Sequence, residues 1–341
     1  MKTELEKLVN GEDLTDTQAE QVMDQIMSGE ATPSQIAGFL TALRVKGETV
    51  DEITGFVRSM RRHAIPVVSG IEGLLDTCGT GGSGVNKFNV STASAFVLAA
   101  AGVPIAKHGN RAASGKAGSA DVLQALGVNI ELNAEEARKC LETAGICFMF
   151  APLFHQSMRH AVGPRRELGF KTVFNILGPM TNPAGAKRQV IGTFSPLLLE
   201  KMARVLANMG AEHVMVVYGS DGLDEITVTG PTQVAELKHG RIELYEIEPQ
   251  QFGLSTYEPS EIEGGDPTVN ANLIRRVFAG ETGGPRDIVV LNAAAGLYVA
   301  GKAASIQEGV DLAEAIIDSG KAQQKLDQLV EVSNGFVKEL K

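Results

Sequence analysis

A glycine-rich segment in the first quarter of the chain has the composition of an anion-binding loop. Residues 76–84 read Asp-Thr-Cys-Gly-Thr-Gly-Gly-Ser-Gly and follow an apolar run that is typical of a strand. Glycines let backbone amides approach and surround phosphate oxygens, because no Cβ stands in the way. Gly79, Gly81 and Gly84 also satisfy G-x-G-x-x-G, a pattern that is weak on its own. The segment predicts a phosphate-binding loop, with an ordinary glycine-rich turn as the alternative.

Two common kinds of nucleotide-binding loop do not fit this segment. A dinucleotide site needs an acidic residue about 20 residues further on, to bind the ribose hydroxyl. The chain has no Asp or Glu between Asp76 and Asp121. A nucleoside triphosphatase loop needs Ser or Thr directly after its lysine to reach magnesium, and here Lys116 is followed by Ala117. Both readings are therefore excluded.

A second polar segment follows the glycines closely. Asn89, Ser91 and Thr92 lie where a helix is predicted to begin. Ser or Thr at this place is ordinarily an N-cap. A helix N-terminus with free amides and hydroxyl groups is also a ready anion site, and a serine hydroxyl can bind magnesium. The segment is close enough in sequence to bind the same ligand as the glycine loop.

The charge of the chain is negative overall and reversed locally. With 31 Lys and Arg against 41 Asp and Glu, the net charge is −10, which argues against a nucleic-acid partner because most of the surface repels polyanions. Residues 77–120 nevertheless contain no acidic residue, and residues 151–194 contain only Glu167. The basic residues of these stretches are Lys87, Lys107, Arg111, Lys116, Arg159, Arg165, Arg166, Lys171, Lys187 and Arg188. We interpret them as the lining of a pocket for a small anion.

Single charged residues each allow a structural and a functional interpretation. Lys107 ends a predicted strand and is either a surface lysine or a point charge for phosphate. Arg165 and Arg166 form either a solvated helix face or a fork for a carboxylate. Adjacent acids such as Asp224 and Glu225 are commonly a solvated turn, but magnesium favours one or two carboxylates together with ligand phosphates and waters. The residue types alone leave these alternatives open.

Three capping patterns predict short helices in the first 65 residues. Residues 15–18, 32–35 and 49–52 each combine a threonine N-cap with Gln or Glu three positions later. Pro33 stands at a first helical position, which favours a helix start. Because each pattern precedes an apolar stripe at helical spacing, we expect a small helical unit.

After Pro66 the pattern changes to short apolar runs that alternate with glycine-rich turns and helices, which is typical of an α/β sheet protein. The predicted strands are 74–77, 103–106, 146–150, 190–194, 213–218 and 288–292. The predicted helices are 92–101, 119–126, 134–144, 196–208, 269–279 and 306–319. Residues 234–247 are predicted to form an edge hairpin that turns at His239-Gly240.

The sequence also bears on location and redox chemistry. It has no run of 18 apolar residues, and charges stand at the N-terminus where a signal peptide is apolar, so we expect a soluble, cytoplasmic protein without a membrane partner. The three cysteines, Cys78, Cys140 and Cys147, are odd in number and lack Cys-x-x-Cys spacing. They indicate neither a disulfide framework nor a zinc site.

Three motifs together resemble the phosphoribosyl diphosphate site of the anthranilate phosphoribosyltransferases. They are Gly-Thr-Gly-Gly at 79–82, Asn-x-Ser-Thr at 89–92 and Lys-His-Gly-Asn-Arg at 107–111. Pyrimidine nucleoside phosphorylases have a similar fold and related glycine and lysine motifs. The segments 165–169, 172–183 and 221–225 resemble the anthranilate enzymes in order and spacing, and they favour that family. The resemblance covers essentially the whole chain.

The resemblance implies a fold and an activity. The fold would combine a small N-terminal helical domain, at 1–66 with a contribution from about 155–180, with a large α/β domain at 67–341. A central, mostly parallel sheet flanked by helices would form the second domain. The activity would be the Mg²⁺-dependent transfer of the 5-phosphoribosyl group from phosphoribosyl diphosphate to the amine of anthranilate, in tryptophan biosynthesis. Closure of a hinge between the domains and a homodimer formed through the helical domain are also implied.

The resemblance further implies the roles of single residues. Those assigned to substrate binding are Gly79, Thr80, Gly81, Gly82, Asn89, Ser91, Thr92, Lys107, Asn110, Ser119, Arg165 and Pro179. Among these, Arg165 would bind the anthranilate carboxylate, Asn110 would hydrogen-bond the aromatic substrate and Pro179 would form its apolar wall. Ser91, Asp224 and Glu225 would hold the metal. His108 would position anthranilate, with proton transfer left open.

One residue departs from the family pattern, and two rival functions remain. Ser83 stands where many members carry Asp near the metal-diphosphate site, which leaves the number of magnesium sites open. A pyrimidine nucleoside phosphorylase would need phosphate and a nucleoside, and the acidic pair and residues 165–183 argue against it. A non-catalytic anion-binding homologue has no reason to keep motifs for both half-sites.

Overall fold

Four helices at the N-terminus form a bundle. In the computed structural model, which describes residues 1–82, 87–112 and 115–338, they are α1 Lys2–Val9, α2 Asp16–Met27, α3 Pro33–Lys46 and α4 Val50–His63. Thr15, Thr32 and Thr49 each accept a hydrogen bond from the amide three residues later, and the partner side chain accepts one in return from the threonine amide. The three predicted capping boxes are thereby confirmed. The apolar stripes face inward, where Phe39 and Phe56 pack edge to face with 5.6 Å between ring centroids.

A mixed sheet occupies the centre of the rest of the chain. Its seven strands are β1 Leu75–Gly79, β2 Ile105–Gly109, β3 Ile146–Phe150, β4 Arg188–Gly192, β5 His213–Gly219, β6 Thr232–Lys238 and β7 Arg241–Ile247. The spatial order is β3-β2-β1-β4-β5-β6-β7, with the first five strands parallel and the last two antiparallel. The predicted mostly parallel sheet is confirmed, as is the edge hairpin that turns at His239 and Gly240.

Helices cover both faces of this sheet. They are α5 Val90–Ala100, α6 Ser119–Ala125, α7 Ala134–Ala144, α8 Ala151–Phe154, α9 Arg159–Leu168, α10 Phe174–Leu177, α11 Leu199–Asn208, α12 Pro267–Phe278, α13 Gly284–Val299, α14 Ile306–Asp318 and α15 Lys321–Lys338. The fold class predicted from the sequence, a helical N-terminal part and an α/β part with a flanked sheet, is confirmed. None of these described helices is long and apolar enough to cross a membrane.

The two faces of the sheet belong to two apolar clusters. Along β5, Met215 and Val217 pack in one cluster with α5 and α13, whereas Val214 and Val216 pack in the other with α11 and the N-terminal helices. This alternation follows from the two-residue period of a strand. Burial of apolar side chains therefore anchors the N-terminal bundle directly to one face of the sheet.

One strand prediction is wrong. Residues 288–292 lie inside the buried helix α13. A short run of Ile, Val and Leu cannot distinguish a buried strand from a buried helix by its period. The helix is favoured because Pro285 stands in its first turn and because apolar residues continue to Val299, so that the helix is buried on nearly every side. The long C-terminal helix α15 was not predicted.

The carboxyl ends of the parallel strands lie at one edge of the sheet. These ends are Gly79, Gly109, Phe150, Gly192 and Gly219. The chain runs from β1 outward to β2 and β3, and then returns to place β4 on the other side of β1. Such a reversal opens a crevice at the carboxyl edge, where ligands of open α/β sheets commonly bind.

Candidate active site

The glycine loop that follows β1 is held close to the acidic pair. The amide of Gly81 donates a hydrogen bond of 2.9 Å to Oδ2 of Asp224. A Cβ at Gly79 would stand 2.3 Å from that oxygen, and a Cβ at Gly192 would stand 1.7 Å from the carbonyl oxygen of Asp224. Only glycine permits this approach, since real Cβ contacts are never that short. The loop and the acidic segment after β5 therefore form one site.

A buried lysine lies between the two acids. Nζ of Lys87 is 2.8 Å from Oδ1 of Asp224 and 2.9 Å from Oε1 of Glu225. Burial by itself lowers the pKa of Lys87, but the two carboxylates outweigh it and raise that pKa above its usual value. Burial likewise raises the pKa of Asp224, and the charge of Lys87 outweighs it, so that the carboxyl remains ionised. The turn is not merely solvated, because both acids are buried.

These residues fit a divalent cation. Ser91, Asp224 and Glu225 offer only oxygen ligands, the kind that magnesium prefers. The ammonium of Lys87 already places one positive charge within 3 Å of both carboxylates, and the amide of Ser91 donates to Oε1 of Glu225 across 3.3 Å. The three predicted ligand residues are thus adjacent, although they come from α5 and from the segment after β5.

The start of α5 completes this side of the site. Its N-cap is Asn89, whose side chain makes no capping bond and instead contacts Ala117 and Asn270 at 3.3 and 3.0 Å. The expectation of a Ser or Thr N-cap is therefore wrong. Oγ1 of Thr92 is buried and has no hydrogen-bond partner among the described residues. An unpaired buried hydroxyl is costly, so a ligand oxygen would satisfy it at a helix N-terminus suited to anions.

Lys107 is a buried residue and not a surface lysine. It is 3% exposed, and its ammonium donates to the carbonyl oxygen of Thr77 and, across 3.5 Å, to Oγ of Ser91. Burial lowers the pKa of Lys107 despite the opposing charge of Asp76. A lysine held there brings positive charge beside the start of α5. Because a buried charge is costly when it is unpaired, an anion bound at this place would be favourable.

His108 is fixed by hydrogen bonds at both ring nitrogens. Nδ1 contacts the carboxylate of Asp76, and Nε2 lies 2.9 Å from the carbonyl oxygen of Gly178, which can only accept. Asn182 donates to the same carboxylate across 2.8 Å. Burial lowers the pKa of His108, but Asp76 outweighs it and raises that pKa above its usual value. With both nitrogens engaged, the ring has no free lone pair for proton abstraction.

Asp76, Cys78 and His108 also lie close enough to form a metal site in principle. Their ligand atoms are within 4.8 Å of one another. Burial, followed by the charge of Asp76, raises the pKa of the Cys78 thiol well above its usual value. A thiol that stays protonated is a poor metal ligand, and His108 is already bound on both sides. This cluster therefore favours a structural role.

The segment after β2 carries two of the predicted substrate residues. The carbonyl oxygen of Asn110 accepts bonds from Oγ of Ser119 and from the amide of Ala120, at 3.4 and 3.2 Å. A Cβ at Gly109 would stand 2.2 Å from Oγ of Ser119, so glycine is needed there. The side chain of Asn110 is exposed, and among the described residues its oxygen accepts a hydrogen bond only from the amide of Arg111. No described residue accepts a hydrogen bond from the amide nitrogen of this side chain.

Arg165 and Pro179 lie on the helical side. Arg165 is in the last turn of α9, its guanidinium 5.2 Å from the centroid of the Phe174 ring, and no carboxylate of the described chain pairs with it. Burial lowers its pKa. Pro179 is buried, and its carbonyl oxygen accepts from Nε2 of Gln189 across 3.0 Å. No hydrogen bond or ion pair among the described residues joins Arg165 to the residues beside the glycine loop.

Comparison with known proteins agrees with this arrangement. Residues 72–323 match the model of the glycosyl transferase family a/b domain, and residues 2–64 match that of the family's helical bundle domain. The chain is 53% identical over 337 residues to the anthranilate phosphoribosyltransferase of Acetivibrio thermocellus, covering 99% of this chain and 98% of that protein. The crystal structure of the Thermus thermophilus enzyme superposes with a TM-score of 0.92 at 44% identity, over 97% of this chain and 99% of that one.

The chain belongs to the anthranilate phosphoribosyltransferase family. It is thereby an enzyme of the pentosyltransferase class. A more distant member of the family, from Saccharomyces cerevisiae, has a TM-score of 0.89 at 28% identity and covers 97% of each chain; its structure was solved in complex with PRPP, that is phosphoribosyl diphosphate, and Mg. Another structure of the yeast protein contains 4-fluoroanthranilate.

Within this family member, several residues of the site were not singled out from the sequence. Lys87 and Lys171 appeared only as basic residues of a stretch, and Asp76 only as the start of the glycine segment. Their contact partners lie far away in sequence, so the spacing of residues in the motifs could not reveal these contacts. The only sequence feature that pointed to these residues was the lack of acidic residues around the motifs. Ser83 and Gly84 lie outside the described residues.

Two residues of the basic stretch lie away from the site. Lys187 and Arg188 are at the opposite, amino edge of the sheet, where Glu212 pairs with both at 3.8 and 3.3 Å. The interpretation of the whole stretch as pocket lining is wrong for them. Arg188 lines an open cavity of about 870 Å³ at that edge, beside His213. His213 is itself paired with Glu236, at 2.8 Å.

Proposed function

We propose that this protein transfers the 5-phosphoribosyl group of phosphoribosyl diphosphate to the amine of anthranilate and releases diphosphate, as a step of tryptophan biosynthesis. Family membership supports the reaction. The observation that carries it is the contact of Gly81 with Asp224, because it unites a phosphate-binding loop with a pair of metal-binding acids. A nucleoside phosphorylase has no need of that union, since its phosphate substrate carries no diphosphate for a metal to bind.

The donor half of the site is proposed to lie at the crevice beside β1. Gly79, Thr80, Gly81 and Gly82 would offer backbone amides to phosphate oxygens. Asn89, Ser91 and Thr92 would contribute the start of α5, and Lys107 would contribute charge. The unpaired hydroxyl of Thr92 and the buried ammonium of Lys107 support this, because each gains a partner when an anion binds.

Ser91, Asp224 and Glu225 would hold Mg²⁺. When bound, the ion would neutralise charge that develops on the departing diphosphate. Lys87 lies between the two acids and would have to share or leave that position. Asp224 needs no proton removed first, since its pKa is already lowered.

The acceptor half is proposed to be formed by Asn110, Ser119, Arg165 and Pro179. Arg165 suits the anthranilate carboxylate because its guanidinium is partly buried and no described carboxylate neutralises it. Pro179 would supply an apolar wall. His108 would position this wall, because its Nε2 binds the carbonyl oxygen of Gly178, the residue before Pro179.

The proposed mechanism needs orientation more than acid-base chemistry. The anomeric carbon would lose diphosphate through an oxocarbenium-like state while the arylamine attacks from the opposite face, with inversion at that carbon. An arylamine is unprotonated at neutral pH, so no strong base is required. This is consistent with His108, whose two ring nitrogens are both engaged in hydrogen bonds. Holding two substrates in line and stabilising the leaving group would supply most of the acceleration.

The proposal extends to organisation and location. Residues 1–66 with about 155–180 would act as a helical domain against 67–341, supported by the packing of α9 on α2 and α3. The two half-sites would approach by hinge closure. A homodimer through the helical domain is supported by exposed Val9 and Val45, which no described residue covers. A cytoplasmic location is supported by the three cysteines, which are all free.

The reaction can be tested directly. Purified protein is mixed with anthranilate, phosphoribosyl diphosphate and Mg²⁺, and the loss of anthranilate fluorescence is followed. We expect a loss that requires all three components and stops when EDTA removes the metal. In a parallel reaction, release of free base from uridine or thymidine with phosphate would point to a nucleoside phosphorylase instead. Anthranilate that stays fluorescent throughout would contradict the proposal.

A further inference from the structure

One side chain bridges the helical side and the glycine loop. The ammonium of Lys171 donates a hydrogen bond of 2.6 Å to the carbonyl oxygen of Gly82 and lies 3.9 Å from the centroid of the Phe194 ring. Lys171 follows α9, on the segment that carries Arg165, whereas Gly82 belongs to the loop after β1. Lys171 therefore joins the two parts of the chain that the proposed function assigns to different substrates.

The glycine loop is held at three successive residues. The amide of Thr80 donates a hydrogen bond to the carbonyl oxygen of Gly192, the last residue of β4, across 2.9 Å. The hydroxyl of Thr80 accepts one from the amide of Phe194 across 3.1 Å. Gly81 is held by the acidic segment after β5. Both of these attachments come from β4 or from the segments that follow β4 and β5. Only the third, from Lys171 to Gly82, comes from the helical side among the described contacts of the loop.

The charge of Lys171 is not neutralised by any acid of the described chain. An ammonium group has three donors, and Gly82 uses one of them. The face of the Phe194 ring attracts a cation at that place without cancelling its charge. Gly82 has a φ of +68°, and a Cβ there would stand 3.2 Å from Cε of Lys171, so the loop fits closely against the lysine.

We propose that Lys171 is a positioning residue for the donor substrate. Through Gly82 it holds the glycine loop in the arrangement that binds phosphoribosyl diphosphate, and it ties that arrangement to the position of the acceptor segment. The inference rests on the proposed function and deepens it. Loss of the bond loosens the loop and weakens donor binding, whereas Arg165 and the acceptor half keep their own contacts.

The test compares steady-state constants for both substrates. For Lys171→Met we expect the KM of phosphoribosyl diphosphate to rise about tenfold, with kcat and the KM of anthranilate within about twofold of the wild type. Lys171→Arg keeps the charge, the donors and the ring contact, and should restore most of the donor affinity. Lys187→Met removes the same charge from the opposite edge of the sheet and should leave all constants unchanged.

The outcomes separate this inference from the function on which it rests. A wild-type protein that does not consume anthranilate defeats the proposed function, and the inference falls with it. An active wild type with an unchanged donor KM in Lys171→Met, or with both KM values raised alike, overturns the inference alone. Lys171→Gln, which keeps a donor without charge, is measured beside it, so that misfolding of one variant does not spoil the test.

Discussion

The amide of Gly81 binds the carboxylate of Asp224 across 2.9 Å, although 143 positions separate the two residues in sequence. The contact places the loop after β1 against the segment after β5, with the glycines of β1 and β4 allowing the close approach. The glycine loop and the acidic pair therefore form one structural unit. A disturbance of either should affect both donor binding and the use of the metal.

The acids should be needed for turnover and not for folding. For the double variant Asp224→Asn, Glu225→Gln we expect kcat to fall at least about a hundredfold, because the metal loses both of its charged ligands and leaving-group charge is no longer offset. The variant should still fold, but its thermal midpoint should fall, because the buried ammonium of Lys87 loses both of its charged partners. The rate of anthranilate consumption at several Mg²⁺ concentrations measures kcat, and a melting curve measures the thermal midpoint. Glu243→Gln, on the exposed edge strand β7, is the matched control. Full activity in the double variant would show that the two acids are not needed to hold the metal.

Gly79 should not tolerate a side chain. In Gly79→Ala the new Cβ would meet Oδ2 of Asp224 at 2.3 Å, so the loop or the acid must shift. Such overpacking costs roughly 1–3 kcal/mol, and here we expect it to appear as a donor affinity reduced at least about tenfold. The KM of phosphoribosyl diphosphate measures it. Gly335→Ala is the control, because its Cβ would meet no neighbouring atom within 4 Å. Equal behaviour of the two variants would count against a tight loop.

Arg165 should be specific to the acceptor. Removal of a charge-assisted bond to a carboxylate costs about 1.5–3 kcal/mol, so Arg165→Ala should raise the KM of anthranilate about tenfold to a hundredfold. The KM of phosphoribosyl diphosphate should stay within about twofold. Arg166→Ala changes the exposed neighbour on the same helix and should raise neither KM. If both substrates weaken equally in Arg165→Ala, the assignment to the carboxylate is wrong.

The pair of His108 and Asp76 should make stability depend on pH. The folded pKa of His108 is raised, so its contribution is complete below the ordinary value of 6.5 and is lost as the pH rises through the folded value. The pKa of Asp76 is lowered, so its own contribution is lost only as the pH falls through that lower value. Between about pH 6 and pH 9, the difference in thermal midpoint between the wild type and His108→Gln should therefore shrink as the pH rises. A constant difference would mean that His108 does not titrate in this range.

The sequence predicts those parts of the fold that depend on local signals. The capping boxes of α2, α3 and α4 and the hairpin turn at His239 and Gly240 could be located because caps and turns require particular residues at particular positions. The strand predicted at 288–292 failed because a short apolar run has no distinguishing period. Besides Pro285 in its first turn, the packing of α13 against α5, α14 and the sheet favours the helix.

The site was predictable as a set of motifs and not as a set of contacts. The motifs around Gly81, Ser91 and Lys107 indicated a phosphate ligand because glycines, hydroxyls and lysine suit it. The pairing of Lys87 with Asp224, and of Asp76 with His108, depends on which strand ends the topology brings together. From its residue type alone, Lys87 could be either a buried lysine paired with two acids or a basic residue that lines a pocket.

The most direct test of the account is where the diphosphate of the donor lies. Crystals soaked with phosphoribosyl diphosphate and Mn²⁺ in place of Mg²⁺ should give an anomalous peak within about 2.5 Å of a carboxylate oxygen of Asp224 or Glu225. The diphosphate should lie against the amides at Gly81 and near the ammonium of Lys107. A diphosphate bound elsewhere, with no metal at the two acids, would contradict the account.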